Sequence, residues 1–367
     1  MRVRIETSVD RESWDGKVAG APGGNIFQSA AWAGYLNGFF GVRSFFFTVE
    51  DSKSGETLAL LRATRESPLN HLLIERPLAR LTMALADRFT ACLTWEAGPV
   101  ILRSRGRAET LQALFEAVDK LCRDENIVAL DSTWPSIYDP GGEQQPGTGW
   151  PEYFSKRQKA TFLLDLTPAE SALWSGLKSS ARKCIRRTLE QGLTTRRIAG
   201  ESELRDYHDF IRRCRQSLGL PGTALRSLTE MWRVLHPAGM LEIFTCSDSG
   251  GRLMGGLGIW RHAGVLYEWG SIQAPEARER KLYSSDLLKW EVIRWGHSNG
   301  CRLYDLAGVV PDPDTSDNKN RGIYQFKSKW GGGKVCFPCY SRNYKPSRQR
   351  VLESGKKLMR ALRRRGS

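Results

Sequence analysis

The chain has 367 residues, with 55 Lys plus Arg against 40 Asp plus Glu and a formal charge of +15. That length suits two domains, and 40% hydrophobic with 10% aromatic residues supplies buried cores, which excludes disorder or a coiled-coil rod for the whole chain. No apolar run reaches the roughly 18 residues of a membrane span, and Met1-Arg-Val-Arg-Ile-Glu6 lacks the apolar core of a signal peptide, so a cytoplasmic protein is expected.

The first half reads as one α/β unit. After an opening strand, the loop Gly20–Asn25 leads to Ile26–Ser29, where Ser29 caps a helix starting at Ala30. Phe45–Val49, Leu58–Thr64, Leu72–Ile74 and Gly98–Leu102 have strand character. Glu109–Glu125 is a helix, with Leu111, Leu114, Val118 and Leu121 spaced by three or four, and Ile127–Leu130 is the next strand. The Pro/Gly-rich stretch Pro135–Pro151 breaks the pattern and marks a boundary.

Beyond it the same order recurs. Thr161–Leu166 is a strand, and Pro168–Gly192 a helix with Leu173, Leu177, Ile185 and Leu189 on its apolar side. Helices Leu204–Leu218 and Leu225–Leu235 precede strands Leu241–Cys246, Leu253–Trp260 and Val265–Trp269. Helix Ser284–Ser298, strand Arg302–Leu306, a long loop and a strand near Val335–Tyr340 complete the unit. Each half thus runs helices, an antiparallel meander, a helix and a further strand, the element order of the N-acetyltransferase-like (GNAT) α/β fold. The expected architecture is two tandem GNAT-like domains: residues 1–155, with a carboxyl-terminal helix over 345–367 packing back on them, and residues 156–344, which carry the catalytic loop.

Eight cysteines are scattered without an export signal, which fits reduced thiols. Cys336-Phe-Pro-Cys339 has no second pair, so no metal site is expected. The charge is clustered. Lys178, Arg182, Lys183, Arg186, Arg187, Arg196 and Arg197 face one acid, Glu190, and nine bases from Lys345 to Arg365 face only Glu353. Such patches attract phosphate-rich partners: nucleic acid, nucleotide-linked substrates or an anionic membrane surface.

The stretch from Tyr304 to Gly333 is too long for a simple connection. Asp305 ends a strand ahead of it, and Phe326-Lys327 precede a triple glycine. Lys327 can place a fixed positive charge where an oxyanion develops in acyl transfer, and Phe326 can offer a flat apolar wall. Equally, Phe326 suits a core position and Lys327 a solvated one.

Leu173-Trp-Ser-Gly-Leu-Lys178 with Arg182, Ile185-Arg-Arg187 and Gln191-Gly192 resembles the basic helix of the Fem family (FemABX-like proteins), the non-ribosomal, tRNA-dependent aminoacyltransferases that form peptidoglycan bridges. Gly322-Ile-Tyr-Gln-Phe-Lys-Ser-Lys-Trp-Gly-Gly332 is similar to that family's Gly-Leu-x-x-Phe-Lys-x-x-Phe-Gly signature, and Tyr304-Asp-Leu-Ala-Gly308 to its Tyr-Asp-x-x-Gly strand end. Ile26-Phe-Gln-Ser29 with Trp32, Gly98-Pro-Val100 and Lys159–Leu166 are weaker echoes in the same order.

The resemblance implies transfer of an aminoacyl group from charged tRNA, as co-substrate and without a cofactor, to an amine on a peptidoglycan precursor or a small molecule. It maps the catalytic pair onto Phe326 and Lys327, and the attacking amine's proton leaves through the tRNA's terminal ribose hydroxyl. Arg215 matches a family arginine that meets acceptor phosphate or carboxylate, with Arg212 and Arg213 as neighbours able to do the same. Asp305, Tyr324 and Trp269 are further substrate-binding candidates, although Trp269, with Trp260 and Tyr267, also suits a core position. Lys178, Arg182, Lys183, Arg186 and Arg187 form one broad helical face that can track tRNA phosphates.

Two departures bear on substrate and form. Trp32-Ala-Gly-Tyr-Leu-Asn37 lacks the lysine that the family uses for acceptor phosphates, and no heptads supply a helical arm, which points to a compact form. The alternative is an acyl-CoA-dependent N-acyltransferase. Its glycine-rich pyrophosphate turn has no counterpart in Ala277–Ser285, where Arg278, Arg280 and Lys281 would have to hold phosphate with side chains. A non-enzymatic RNA-binding protein would leave the Phe326-Lys327 segment without a purpose. The basic tail suits a membrane-associated acceptor as well as tRNA.

Overall fold

The computed structural model describes residues 1–70, 79–103, 106–137, 151–220, 224–314 and 316–354. The chain divides into two compact units, Met1–Gln158 joined by the chain from Phe337 onward, and Lys159–Cys336.

In the first unit the elements are β1 (Arg2–Glu6), α1 (Arg11–Ala19), α2 (Ala30–Phe40), β2 (Arg43–Glu50), β3 (Thr57–Glu66), α3 (Ala79–Thr90), β4 (Cys92–Trp95), β5 (Val100–Ile101), α4 (Arg107–Asp124) and β6 (Ala129–Thr133). The strands lie in the order β1-β2-β3-β4-β6, antiparallel except for the parallel pair β4 and β6. Leu111, Leu114, Phe115, Val118 and Cys122 of α4 bury against Phe47, Leu61 and Leu93 of the sheet to form the main core.

Ser29 caps α2 as its position predicts, its hydroxyl accepting from Trp32 N at 3.0 Å. Two of the short motifs noted above meet here. Gln28 accepts from Arg62 N at 2.7 Å and donates to Glu96 O at 2.7 Å, pinning β3 to the turn before Gly98. A Cβ on Gly98 would lie 2.6 Å from the Gln28 amide nitrogen, so that close approach requires glycine.

The strand expected over Gly98–Leu102 is only Val100–Ile101, because Pro99 has no N–H to offer a ladder. The strand expected at Leu72–Ile74 lies outside the described residues, and so does most of the tail helix expected over 345–367. Residues 346–354 are helical, and Leu352 packs with Cys92 and Ala129.

The second unit opens with β7 (Ser155–Asp165), which starts just ahead of it, followed by α5 (Glu170–Gly176), α6 (Ser179–Glu190), β8 (Thr194–Arg197), α7 (Glu201–Ser217), α8 (Leu225–Leu235), β9 (Leu241–Ser247), β10 (Leu253–His262), β11 (Val265–Gln273), α9 (Pro275–Glu279), α10 (Ser284–Ser298), β12 (Leu303–Val309) and α11 (Asn318–Lys327). The last strand, β13 (Gly333–Asn343), returns to the first unit and pairs antiparallel with β6. The sheet order here is β7-β12-β11-β10-β9-β8, with β11 and β12 the one parallel pair among the described strands of this unit.

Two expectations need correction. The helix read as Pro168–Gly192 is two helices, because Leu177 and Lys178 are extended, with ψ of 143° and 148°. Leu177 turns into the core there, and Arg182 covers the broken end by donating to the carbonyls of Ser175 at 2.8 Å and of Leu177. The stretch read as one long loop contains α11, capped by Asp317, which accepts from Asn320 N at 2.7 Å. Phe326 and Lys327 therefore end a helix. The longest described helix is α4, with 18 residues, and no described helix is long and apolar enough to cross a membrane.

Candidate active site

The site is built where two parallel strands part. β11 and β12 pair only from Val265↔Leu303 to Tyr267↔Asp305, although β11 continues to Gln273 and β12 to Val309. β12 kinks at this point. Its register against β7 shifts between Asp305 and Gly308, and Ala307 takes a left-handed φ of 62°. The Asp305 carboxylate holds the kink by accepting from Ala307 N at 2.8 Å and from the Thr161 hydroxyl.

Buried charges fill the base of this fork. Glu268 of β11 pairs with Lys289 of α10, and the Tyr304 hydroxyl of β12 donates to the same carboxylate oxygen at 2.6 Å. Lys289 is 1% exposed, so its ammonium depends on that carboxylate to offset lost hydration. It also lies 5.5 Å from the ring centre of Phe326 and 5.8 Å from that of Trp330. A second pair, Lys329 with Asp286, places another ammonium 4.3 Å from the Phe326 ring centre. Phe326 stands edge-on to Trp330 at 5.9 Å with both ammonium groups within cation–π range of its ring, contacts that favour one orientation of its plane.

Lys327, the next residue, points elsewhere. Its ammonium donates to Gly308 O at 3.1 Å, just past the kink. Burial lowers its pKa and nearby Lys289 adds to this, while Glu268 and Asp305 oppose it. One of its three N–H donors meets Gly308, so the group can still donate to a ligand at the fork.

The other expected residues fall in three places. Tyr324 packs edge-on to Phe162 at 5.2 Å, beneath Lys334. Trp269 stacks on Trp260 at 5.4 Å and lies against Gly258, where a Cβ would meet its ring at 2.3 Å. By strand alternation it faces away from Glu268, and its indole nitrogen is buried without a hydrogen-bond partner. Arg215 ends α7 half-buried, and the groove of about 630 Å³ beside that helix is lined by Arg213.

On the basic helix, Lys178, Lys183, Arg186 and Arg187 are exposed, whereas Arg182 is engaged with backbone carbonyls. Lys178 joins this face to the end of α11. Its N–H donates to Lys329 O at 2.9 Å and its ammonium to the Ser328 hydroxyl at 3.3 Å.

The turn that would hold a CoA pyrophosphate is differently equipped. The N–H groups of Asp286 and Leu287 both donate to Tyr283 O, at 2.9 and 3.2 Å. The buried Asp286 carboxylate sits in the first turn of α10, where it complements the helix dipole in place of an outside anion. Arg280 lies 3.6 Å from Asp248.

Sequence reading alone did not single out Glu268, Lys289, Asp286 or Lys329. A signal was present, since Glu268 shares the inward side of its strand with Leu266, and Lys289 shares its helix line with Asp286 and Ile293. Charges at such core positions mark either a pair or a site.

The fold matches known proteins. Residues 175–328 match the family described as an acetyltransferase (GNAT) domain. The crystal structure of FemX superposes with a TM-score of 0.71 at 14% identity, covering 96% of this chain and 100% of FemX. L-PGS from Bacillus licheniformis gives 0.53 at 11% identity, covering 94% of this chain and 96% of that one. A tandem GNAT protein from the clavulanic acid biosynthesis pathway gives 0.53 at 13%, covering 93% and 98%. No curated protein matches by sequence. The chain is therefore a tandem GNAT-fold protein whose second unit carries an acetyltransferase-type domain. Its fold is that of FemX, in agreement with the Fem-like motifs of the sequence.

Proposed function

We propose that the protein transfers an aminoacyl group from aminoacyl-tRNA to an acceptor amine, forming an amide. The observation that carries this reading is the Lys327 ammonium, half-buried and anchored at Gly308 O beside the ring-clamped Phe326. The donor ester is already activated, so the chemistry asks for alignment and charge stabilisation, with no covalent nucleophile and no further cofactor. The amine nitrogen bonds to the ester carbonyl carbon, and Lys327 steadies the oxyanion that forms. The carbon–oxygen bond to the terminal ribose then breaks, and the departing oxygen takes up the amine's proton.

The exposed bases Lys178, Lys183, Arg186 and Arg187 supply a phosphate-tracking face that starts beside Ser328 and Lys329. Asp286 in the first turn of α10 speaks against an acyl-CoA pyrophosphate there. The acceptor amine belongs to a muropeptide precursor or a small molecule.

The test is transfer of labelled amino acids from a pool of charged tRNA to muropeptide and small-amine acceptors, with acetyl-CoA in parallel. Transfer from tRNA that is lost in Lys327→Ala supports the reading and reveals the amino acid. Transfer from acetyl-CoA alone overturns it.

A further inference from the structure

The groove of about 630 Å³ in the second unit has a size and a lining that the fork does not account for. One wall is the face of α7 that carries Asp206, Phe210 and Arg213, spaced by four and three, with Cys214 beside them. The facing wall is made by Met254 at the start of β10 and by Glu276 of α9. Phe210, Cys214 and Met254 are buried and give the groove an apolar floor. On the same side of α7, the Tyr207 ring lies 6.4 Å from that of Phe210, and its hydroxyl is buried without a hydrogen-bond partner.

This groove is separate from the fork. A Cβ on Gly256 would meet the Tyr207 ring of α7, whereas one on Gly255 would meet Ser284 and Leu288 of α10, so α7 and α10 cover opposite faces of β10. Lys289 and its partner Glu268 belong to the α10 side.

The charges that line the groove are of two kinds. Arg196 pairs with Glu203, Arg252 with Asp248, and Asp209 with Arg212. Asp206, Arg213 and Glu276 form no ion pair among the described residues. Unpaired carboxylates on both walls disfavour a phosphate, yet Arg213 asks for an anion, and a ligand that carries both signs satisfies both. Asp206 and Arg213 are seven residues apart on one helical face, which is about 10 Å along the axis. An extended peptide advances about 3.4 Å per residue, so the two ends of a tripeptide span that distance.

We infer that the groove binds a short peptide with free termini, its ammonium on Asp206, its carboxylate on Arg213 and its apolar side chains over Phe210, Cys214 and Met254. Glu276 is then placed to receive a cationic side chain of the same peptide. The site is argued without reference to the transfer chemistry, so it stands or falls separately from the proposed function.

The experiment is isothermal titration calorimetry of the full chain with the tripeptide Ala-Leu-Ala, either unmodified, acetylated at its amino terminus or amidated at its carboxyl terminus. The unmodified peptide is expected to bind saturably, and each cap to weaken binding by about tenfold, as the loss of one charge-assisted hydrogen bond does. Asp206→Asn should weaken the unmodified peptide by about the same factor and make binding indifferent to acetylation. Arg213→Gln should do so for amidation. Both residues are exposed, so the thermal midpoints of the variants should match the wild type. Absence of saturable binding at millimolar peptide overturns the proposal, and so does binding that neither cap weakens. Binding that Lys327→Ala removes while Asp206→Asn and Arg213→Gln leave it intact also overturns it, for then the peptide sits at the fork.

Discussion

The helix that follows the meander meets its sheet differently in the two units. In the first, α4 packs with Leu111, Leu114, Phe115, Val118 and Cys122, all fully buried, and its one buried charge, Asp119, lies away from the parallel strands, paired with Arg123 and with Arg342 of β13. In the second, α10 buries Asp286 and Lys289 among its apolar residues. The strands differ in the same sense: β4 pairs with β6 along its whole length, whereas β11 and β12 part after three pairs. An apolar interface is the cheaper way to hold a helix on a sheet, since each buried ion costs several kcal/mol of hydration before its partner offsets it. The same architecture thus appears once with its parallel strands paired along the whole of β4 and once with them parted over a buried ion pair.

The sharpest way to break this contrast is Lys289→Met, which leaves Glu268 buried without its cation. We expect a loss of about 3–5 kcal/mol in denaturant unfolding, most of it recovered when Glu268→Gln is added. A double variant whose cost is the sum of the two single costs would mean that the pair is not coupled. Next come two substitutions with opposite signatures. Lys327→Ala should lower turnover by about 10²–10³-fold with little change in the unfolding midpoint, and Leu114→Ala should cost about 2–5 kcal/mol of stability while turnover of the folded enzyme persists.

A smaller effect is expected in the pH profile. Burial lowers the Lys327 pKa from its ordinary 10.5, so its ammonium is present below that lowered pKa and is lost as pH rises through it. The turnover profile should therefore fall on the alkaline side earlier than an ordinary lysine would give. Lys327→Arg, which stays charged, should flatten that limb whatever its absolute rate. If the limb persists unchanged in the arginine variant, another group titrates there. Reversing Lys183, Arg186 and Arg187 to Glu should flatten the salt dependence of tRNA binding, by a slope of about 0.7–0.9 for each phosphate that is no longer neutralised. Smallest, Ser29→Ala should cost about 1 kcal/mol, seen as a shift in the denaturation midpoint with transfer intact.

Much of the fold was legible along the chain. Leu225–Leu235 and Ser284–Ser298 are helices with the bounds their spacing suggests, and the meander of the second unit appears where apolar runs alternate with turns, whereas α3 and β4 of the first unit were not read from the sequence. The misreadings share a cause. Pro168–Gly192 keeps an unbroken helical period, yet it divides because Leu177 is drawn into the core. The segment after Pro313 has a polar, loop-like composition, but Asp317 caps a helix there and Phe326 docks on Lys289 and Trp330. In both, tertiary packing outweighed a local preference of tenths of a kcal/mol per residue.

At the site the division is similar. By itself the sequence determined what is local or additive: the helix periods, the Ser29 cap, the clustered bases of α6 and of the tail, and the Phe326-Lys327 signature in its ordered context. Only the tertiary structure decided which lysine is buried on a carboxylate, which stands over an aromatic ring and which reaches a backbone carbonyl at the fork. Lys289, Lys327 and Lys329 are the same residue type in one short part of the chain. Their roles differ because burial and pairing are set by β11, α10, β12 and α11 together, and no period or propensity along the chain records that convergence.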